Sequence, residues 1–79
     1  MAGESILIVD DDTFMRELLG ESLQEAEYRV ETAADGKDAL HKLSLHEYQV
    51  ALIDLSLEDM SGLDIVDTLI DGSPDTRII

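Results

Sequence analysis

The chain has 79 residues, 44% of them hydrophobic, with 19 acidic and only five basic side chains and a formal net charge of −14. That length gives one small domain, near the lower limit for a self-sufficient core, and the hydrophobic share excludes a disordered tail. Too few Lys and Arg are present for a phosphate-binding patch, so the segment is not expected to bind nucleic acid directly. The absence of cysteine excludes disulfides, thiolate metal sites and cysteine nucleophiles. The amino terminus lacks a basic n-region, and no apolar run approaches the ~20 residues that span a bilayer, so a soluble, cytoplasmic protein without membrane contact is expected.

Ser5-Ile6-Leu7-Ile8-Val9 is a continuous apolar run of the kind found in strands covered on both faces of a parallel sheet, and it ends in Asp10, Asp11 and Asp12. A helix follows from about Thr13 to Ala26 with Asp12 as its N-cap. Met15, Leu18, Leu19, Leu23 and Ala26 recur at helical spacing and are expected to form its buried stripe, with Gly20 on the opposite face. Tyr28 to Thr32 reads as a shorter, more polar strand, hence an edge strand. Asp35-Gly36 turns the chain into a helix reaching about Leu45, which buries Ala39, Leu40 and Leu43 and exposes Lys37, His41 and Lys42.

Val50-Ala51-Leu52-Ile53 is the third apolar run, and Asp54 ends it. A polar loop from Ser56 to Ser61 leads into a helix from Gly62 to Ile70, with Ile65, Val66, Leu69 and Ile70 at core spacing. Asp71-Gly72-Ser73-Pro74 stops that helix, with Gly as C-cap and Pro beyond. Arg77-Ile78-Ile79 begins a fourth strand. Strands alternating with helices imply βαβ units, a parallel sheet and right-handed crossovers.

In such a sheet, ligands bind outside the carboxyl ends of the strands. If the first and third strands are neighbours, Asp10, Asp11 and Asp54 gather at one end, where their mutual repulsion calls for a cation. A site offering carboxylates and no thiolate or nearby imidazole suits Mg²⁺. Glu17, Glu21, Glu25, Glu27, Glu31, Asp38 and Asp67 read as solvated surface charge. His41 and His46 read as surface residues.

The acid cluster after the first strand, the single acid after the third, the Gly eight residues beyond it and Asp35-Gly36 stand in an order and spacing that resembles the receiver domain of bacterial two-component response regulators, from Ile6 to the last residue. The resemblance implies a flavodoxin-like α/β fold with strand order 2-1-3-4-5, of which this chain supplies three βα units and the start of the fourth strand, making residues 1–79 the amino-terminal part of a receiver domain. It implies that Asp54 accepts a phosphoryl group from a sensor histidine kinase or phosphotransfer protein, so that the chain is a phosphorelay module and not an enzyme beyond Mg²⁺-dependent self-phosphorylation and dephosphorylation. It further implies that Asp11 ligates Mg²⁺ directly, that Asp10 acts mostly through water, and that the Ser56 backbone carbonyl completes the set.

Other carboxylate motifs fit poorly. An EF-hand loop starting at Asp10 would have Phe14 and Met15 where an oxygen ligand and a Gly are needed. A haloacid-dehalogenase-type phosphatase would need an acid where Ser56 stands.

Two departures from the family stand out. Glu58 occupies a position that commonly carries proline, and the hydroxyl and Lys that receivers place at the ends of the fourth and fifth strands have no counterpart in 79 residues. Any output domain lies outside this chain. The alternative is a truncated or split α/β fragment acting as an interaction module without a working phospho-switch. With so little of the fourth strand available, the third strand and the helix stripes are expected to be left partly uncovered, favouring a dimer or a segment-swapped assembly through Arg77–Ile79.

Overall fold

The computed structural model describes residues 3–72 and 75–79. Its elements alternate along the chain: β1 (Ser5–Val9), α1 (Thr13–Glu25), β2 (Arg29–Ala33), α2 (Gly36–Leu45), β3 (Val50–Ile53), α3 (Gly62–Gly72) and β4 (Arg77–Ile78). The four strands form one parallel sheet in the order β2-β1-β3-β4. This is the flavodoxin-like order that the receiver resemblance implies, and no helix among the described residues is long and apolar enough to cross a membrane.

β1 has a neighbour on each side, which is why its apolar run needs no polar alternation. Ile6, Leu7, Ile8 and Val9 are each at most 4% exposed. Its register aligns Val9 with Ala33 of β2 and with Ile53 of β3. β2 lies at the edge, as its polar composition requires, and buries only Ala33. At the other edge the segment Arg77–Ile79 pairs with the chain's own β3. The amides of Arg77 and Ile79 donate to the carbonyls of Gln49 and Ala51, and the Ile53 amide donates to Ile79 O.

The two faces are covered unequally. Leu7, Val9 and Ala51 join Ala33, Ala39, Tyr48, Leu57, Ile65 and Leu69 in one buried cluster, so α2 and α3 both cover that face. Ile6, Ile8, Val50 and Leu52 face the side on which α1 is the one helix among the described residues. The side-chain period of two in a strand makes this division.

Each helix begins as its sequence dictates. Asp12 caps α1 by accepting the Met15 amide at 3.2 Å, and Asp35 caps α2 by accepting the Asp38 amide at 2.8 Å.

Several burial expectations are corrected. Gly20, placed by periodicity on the outer face of α1, is its buried residue and packs toward Val30. Within the expected stripe Leu19 and Leu23 are half-buried, whereas Met15 (37%), Leu18 (47%) and Ala26 are exposed. The cause is that α1 seats its Gly20 side on β1 and β2, and no second helix among the described residues lies beyond it over β3. Tyr28 precedes β2 rather than opening it, after a tight turn in which Glu27 adopts φ 70°.

Lys42, expected in solvent, is half-buried because its ammonium donates to Thr32 O and pairs with Asp38 at 3.4 Å. Asp38 is accordingly an ion-pair partner rather than a free surface charge. α3 runs two residues past Ile70, leaving that side chain 59% exposed. The expected stop at Ser73-Pro74 lies outside the described residues.

Candidate functional site

Because Val9 and Ile53 are paired in register, the residues that follow them emerge side by side at the carboxyl end of the sheet. The Asp54 amide donates to Val9 O at 2.9 Å and the Asp10 amide to Ala33 O at 3.1 Å, so the ladder extends one residue past each strand. Carboxylate oxygens of Asp10, Asp11 and Asp54 then lie within 4.8 Å of one another, all three residues half-buried. Asp12 stands outside the cluster as the α1 cap. The three acids open into a cavity of about 710 Å³ lined also by Met15, Leu19, Leu52, Ser56 and Ile79.

The cluster is held by its own backbone. Asp10 Oδ1 accepts the Asp12 amide and Asp54 Oδ1 accepts the Ser56 amide, each at 2.9 Å. Arg16 reaches back to donate from Nη1 to the Asp10 carbonyl at 2.9 Å, fixing the turn without neutralising the carboxylates. The one ion pair among the described residues is Lys42 with Asp38, and neither residue belongs to this cluster. Three carboxylates with no cation of the chain between them form an all-oxygen donor set, which is the chemistry of a hard divalent ion such as Mg²⁺.

The loop after Asp54 is closed at its root. The Gly62 amide donates to Leu55 O at 3.1 Å, and Ser56 and Ser61 form an antiparallel bridge. Gly62 is required there. A Cβ would sit 2.7 Å from Leu55 Cα and closer still to the Asp54 carbonyl oxygen. Leu57 is buried and anchors the loop in the core, while Glu58 remains in solvent.

Two residues that sequence reasoning passed over carry much of the local order. Asp59 accepts the Gly36 amide on Oδ1 at 2.8 Å and the Lys37 amide on Oδ2 at 2.9 Å, and these two donors hold its carboxyl below the ordinary carboxylate range. Tyr48, just before β3, is buried with its hydroxyl donating to Glu31 at 2.9 Å. Burial first, and then the Glu31 hydrogen bond and charge, push its phenol up to about 12. Glu31 is therefore a hydrogen-bond acceptor and not only a solvated charge. His41 and His46 are exposed, as expected, and neither approaches the acid cluster closely enough to join it.

A family profile described as "Response regulator receiver domain" matches residues 6–79. The chain belongs to the response regulator receiver domain family. The chemotaxis protein CheY of Thermotoga maritima is 31% identical to it over 78 residues, spanning 98% of this chain and 65% of the relative. Among solved receiver structures, the response regulator TrrA from Thermotoga maritima in complex with Mg²⁺ and BeF superposes with a TM-score of 0.88 at 36% identity, over 95% of this chain and 65% of that one. TrrA in complex with the histidine kinase ThkA superposes with a TM-score of 0.86 over the same shares. This receiver chain thus spans about two thirds of the length of these relatives.

Proposed function

We propose that Asp54 is the phosphoacceptor of this receiver domain, with a sensor histidine kinase or phosphotransfer protein as donor and Mg²⁺ as the metal. The observation that carries the reading is the convergence of Asp10, Asp11 and Asp54 within 4.8 Å at the ends of adjacent parallel strands. Asp10, Asp11, Asp54 and the Ser56 carbonyl would hold the ion. When bound it neutralises charge on the transferring phosphoryl group, which is most of what this chemistry needs. The similarity to receivers solved with Mg²⁺ and BeF and with a histidine kinase supports the same choice of metal and partner.

Asp54 has one oxygen committed and one free. The Ser56 amide donates to Oδ1 and restrains the carboxylate, and Oδ2 is the attacking atom on this reading. In the transfer an Asp54 O–P bond forms as the donor's P–N bond breaks, and the donor imidazole leaves as the neutral base after taking a proton. The product is an acyl phosphate, which water later hydrolyses to inorganic phosphate and the free carboxylate. Asp10 and Asp11 lie beside the acceptor and repel the incoming phosphate unless a cation is present, which makes the reaction metal-dependent.

The direct test is labelling with acetyl phosphate with and without MgCl₂. Asp54→Ala is expected to abolish incorporation, and Asp11→Ala to weaken Mg²⁺ binding with the acceptor intact. Equal incorporation by the wild type and Asp54→Ala would overturn the assignment. Residues 1–79 are on this reading the amino-terminal βα units of the receiver, working in the cytoplasm.

A further inference from the structure

We infer that Asp59 is a positioning residue of this site: by binding the first two amides of α2 it holds the Asp54–Ser61 loop so that Ser56 stays against the carboxylate cluster. The inference rests on the Mg²⁺ reading above for its functional consequence, but its structural part stands independently.

The loop has two fastenings. Its root is closed by the Gly62 amide on Leu55 O and by the bridge between Ser56 and Ser61. Its tip is tied to a different element altogether. The two oxygens of Asp59 take one amide each, Gly36 at 2.8 Å and Lys37 at 2.9 Å, across 23 and 22 residues of sequence. These are the opening residues of α2, whose amides have no carbonyl partner within the helix and lie at its positive end. Asp35 takes a different donor, the Asp38 amide, so the two carboxylates divide the helix terminus without competing.

The approach is close because residue 36 is glycine. A Cβ there would collide with the side chain of Met60, the residue next to Asp59. The tip has one further hold in the side chain of Met60, which packs against the core. The chain's one proline is Pro74, so no ring restricts a backbone angle anywhere between Asp54 and Gly62. Leu57, Met60 and the Asp59 clamp fix the loop between its ends, and Ser56, whose amide orients Asp54, stands at the root, where its bridge to Ser61 joins it to the clamped stretch. Releasing Asp59 loosens the Leu57–Ser61 stretch to which Ser56 is bridged.

Isothermal titration with MgCl₂ on the full chain tests this, using wild type, Asp59→Ala, Asp59→Asn and Asp35→Ala. Residues that orient metal ligands without touching the metal typically contribute 10–100-fold in affinity. Asp59→Ala is expected to bind about tenfold more weakly. Asp59→Asn, which keeps one acceptor oxygen, is expected to fall between it and wild type. Asp35→Ala removes the other α2 cap without touching the loop and is expected to bind as wild type does.

Amide exchange in metal-free protein supplies the second readout: the Ser56 and Gly62 amides are expected to exchange faster in Asp59→Ala, or in Asp59→Asn should Ala not fold, than in Asp35→Ala. Equal Mg²⁺ affinity in wild type and Asp59→Ala, or an equal loss in Asp35→Ala, would overturn the inference. A wild type that binds no Mg²⁺ would overturn the metal reading instead, and the exchange rates would then decide whether Asp59 holds the loop.

Discussion

Gly62 and Gly20 make opposite demands, and substituting each by alanine tests the packing argument in both directions. A Cβ on Gly62 would lie 2.7 Å from Leu55 Cα, where ordinary contacts begin near 3.4 Å, and nearer still to the Asp54 carbonyl oxygen. Both obstacles are backbone atoms, tied to Gly62 by its own hydrogen bond to Leu55 O, so no side-chain rotation relieves the overlap. Overpacking of this kind costs about 1–3 kcal/mol, and a rigid obstacle places Gly62→Ala at the upper end. For a domain of this size each kcal/mol moves the midpoint by roughly 4–8 °C, which gives a fall of about 10–20 °C. At Gly20 the added Cβ meets only Val30 Cγ1 at 4.0 Å, an ordinary contact, in the middle of α1. Gly20→Ala should therefore raise stability by about 0.5–1 kcal/mol through the helix propensity it restores. Thermal melts followed by far-UV circular dichroism measure both, and acetyl phosphate labelling of Gly62→Ala shows whether the displaced Asp54 still accepts. A Gly62→Ala midpoint within a few degrees of wild type would refute the reasoning.

Leu7 is fully buried at the centre of the sheet, so Leu7→Ala should cost about 2–5 kcal/mol in a urea titration. Tyr48→Phe removes a hydroxyl bonded to an exposed carboxylate and should cost about 1 kcal/mol by the same titration. The Tyr48 phenol is raised from 10.0 to about 12 on folding, so its contribution is complete below pH 10 and is lost as pH rises from 10 to about 12. Tyr48→Phe should flatten that alkaline limb. Asp59 is lowered from 3.8, so the stability it adds is present above that pH and is lost as pH falls through its folded value; Asp59→Asn should flatten the acid limb.

The strands, the helices and the acids that close two of the strands were legible from short-range pattern, while the strand order came from the resemblance to receivers. Two unbroken apolar runs, each closed by acids, mark strands buried on both faces, and once the folded sheet makes them neighbours the carboxylates converge as a consequence of register. Asp12 was legible as a cap because a cap binds three residues ahead, and Asp35, read as a turn residue, caps α2 in the same way. Asp59 was not, since its partners lie 22 and 23 residues back and nothing in Glu58-Asp59-Met60 marks it as a cap for a distant helix. Tyr48 and Lys42 share that property. Their partners Glu31 and Thr32 lie in β2, 17 and 10 residues back, and only the folded chain brings them together.

The misreading of α1 has a different cause, which lies in geometry rather than range. Periodicity identifies which residues could be buried together, but burial also needs something on the far side. Strands spaced about 4.8 Å apart and helices about 10 Å across mean that one helix covers roughly two strands, so a four-stranded sheet needs two helices on each face. Right-handed crossovers send α2 and α3 to one face, which is filled, and α1 alone to the other. α1 settles over β1 and β2, drawn in by Gly20, and leaves Val50 and Leu52 of β3 half-buried beside a groove lined also by Ile6, Leu23 and Ile79. Leu18 and Met15 are apolar at helical spacing and still exposed, because the sheet surface they would share with a second helix on that face has no such helix among the described residues. The stripe records a packing requirement of the full width of the sheet, and α1 by itself meets half of it.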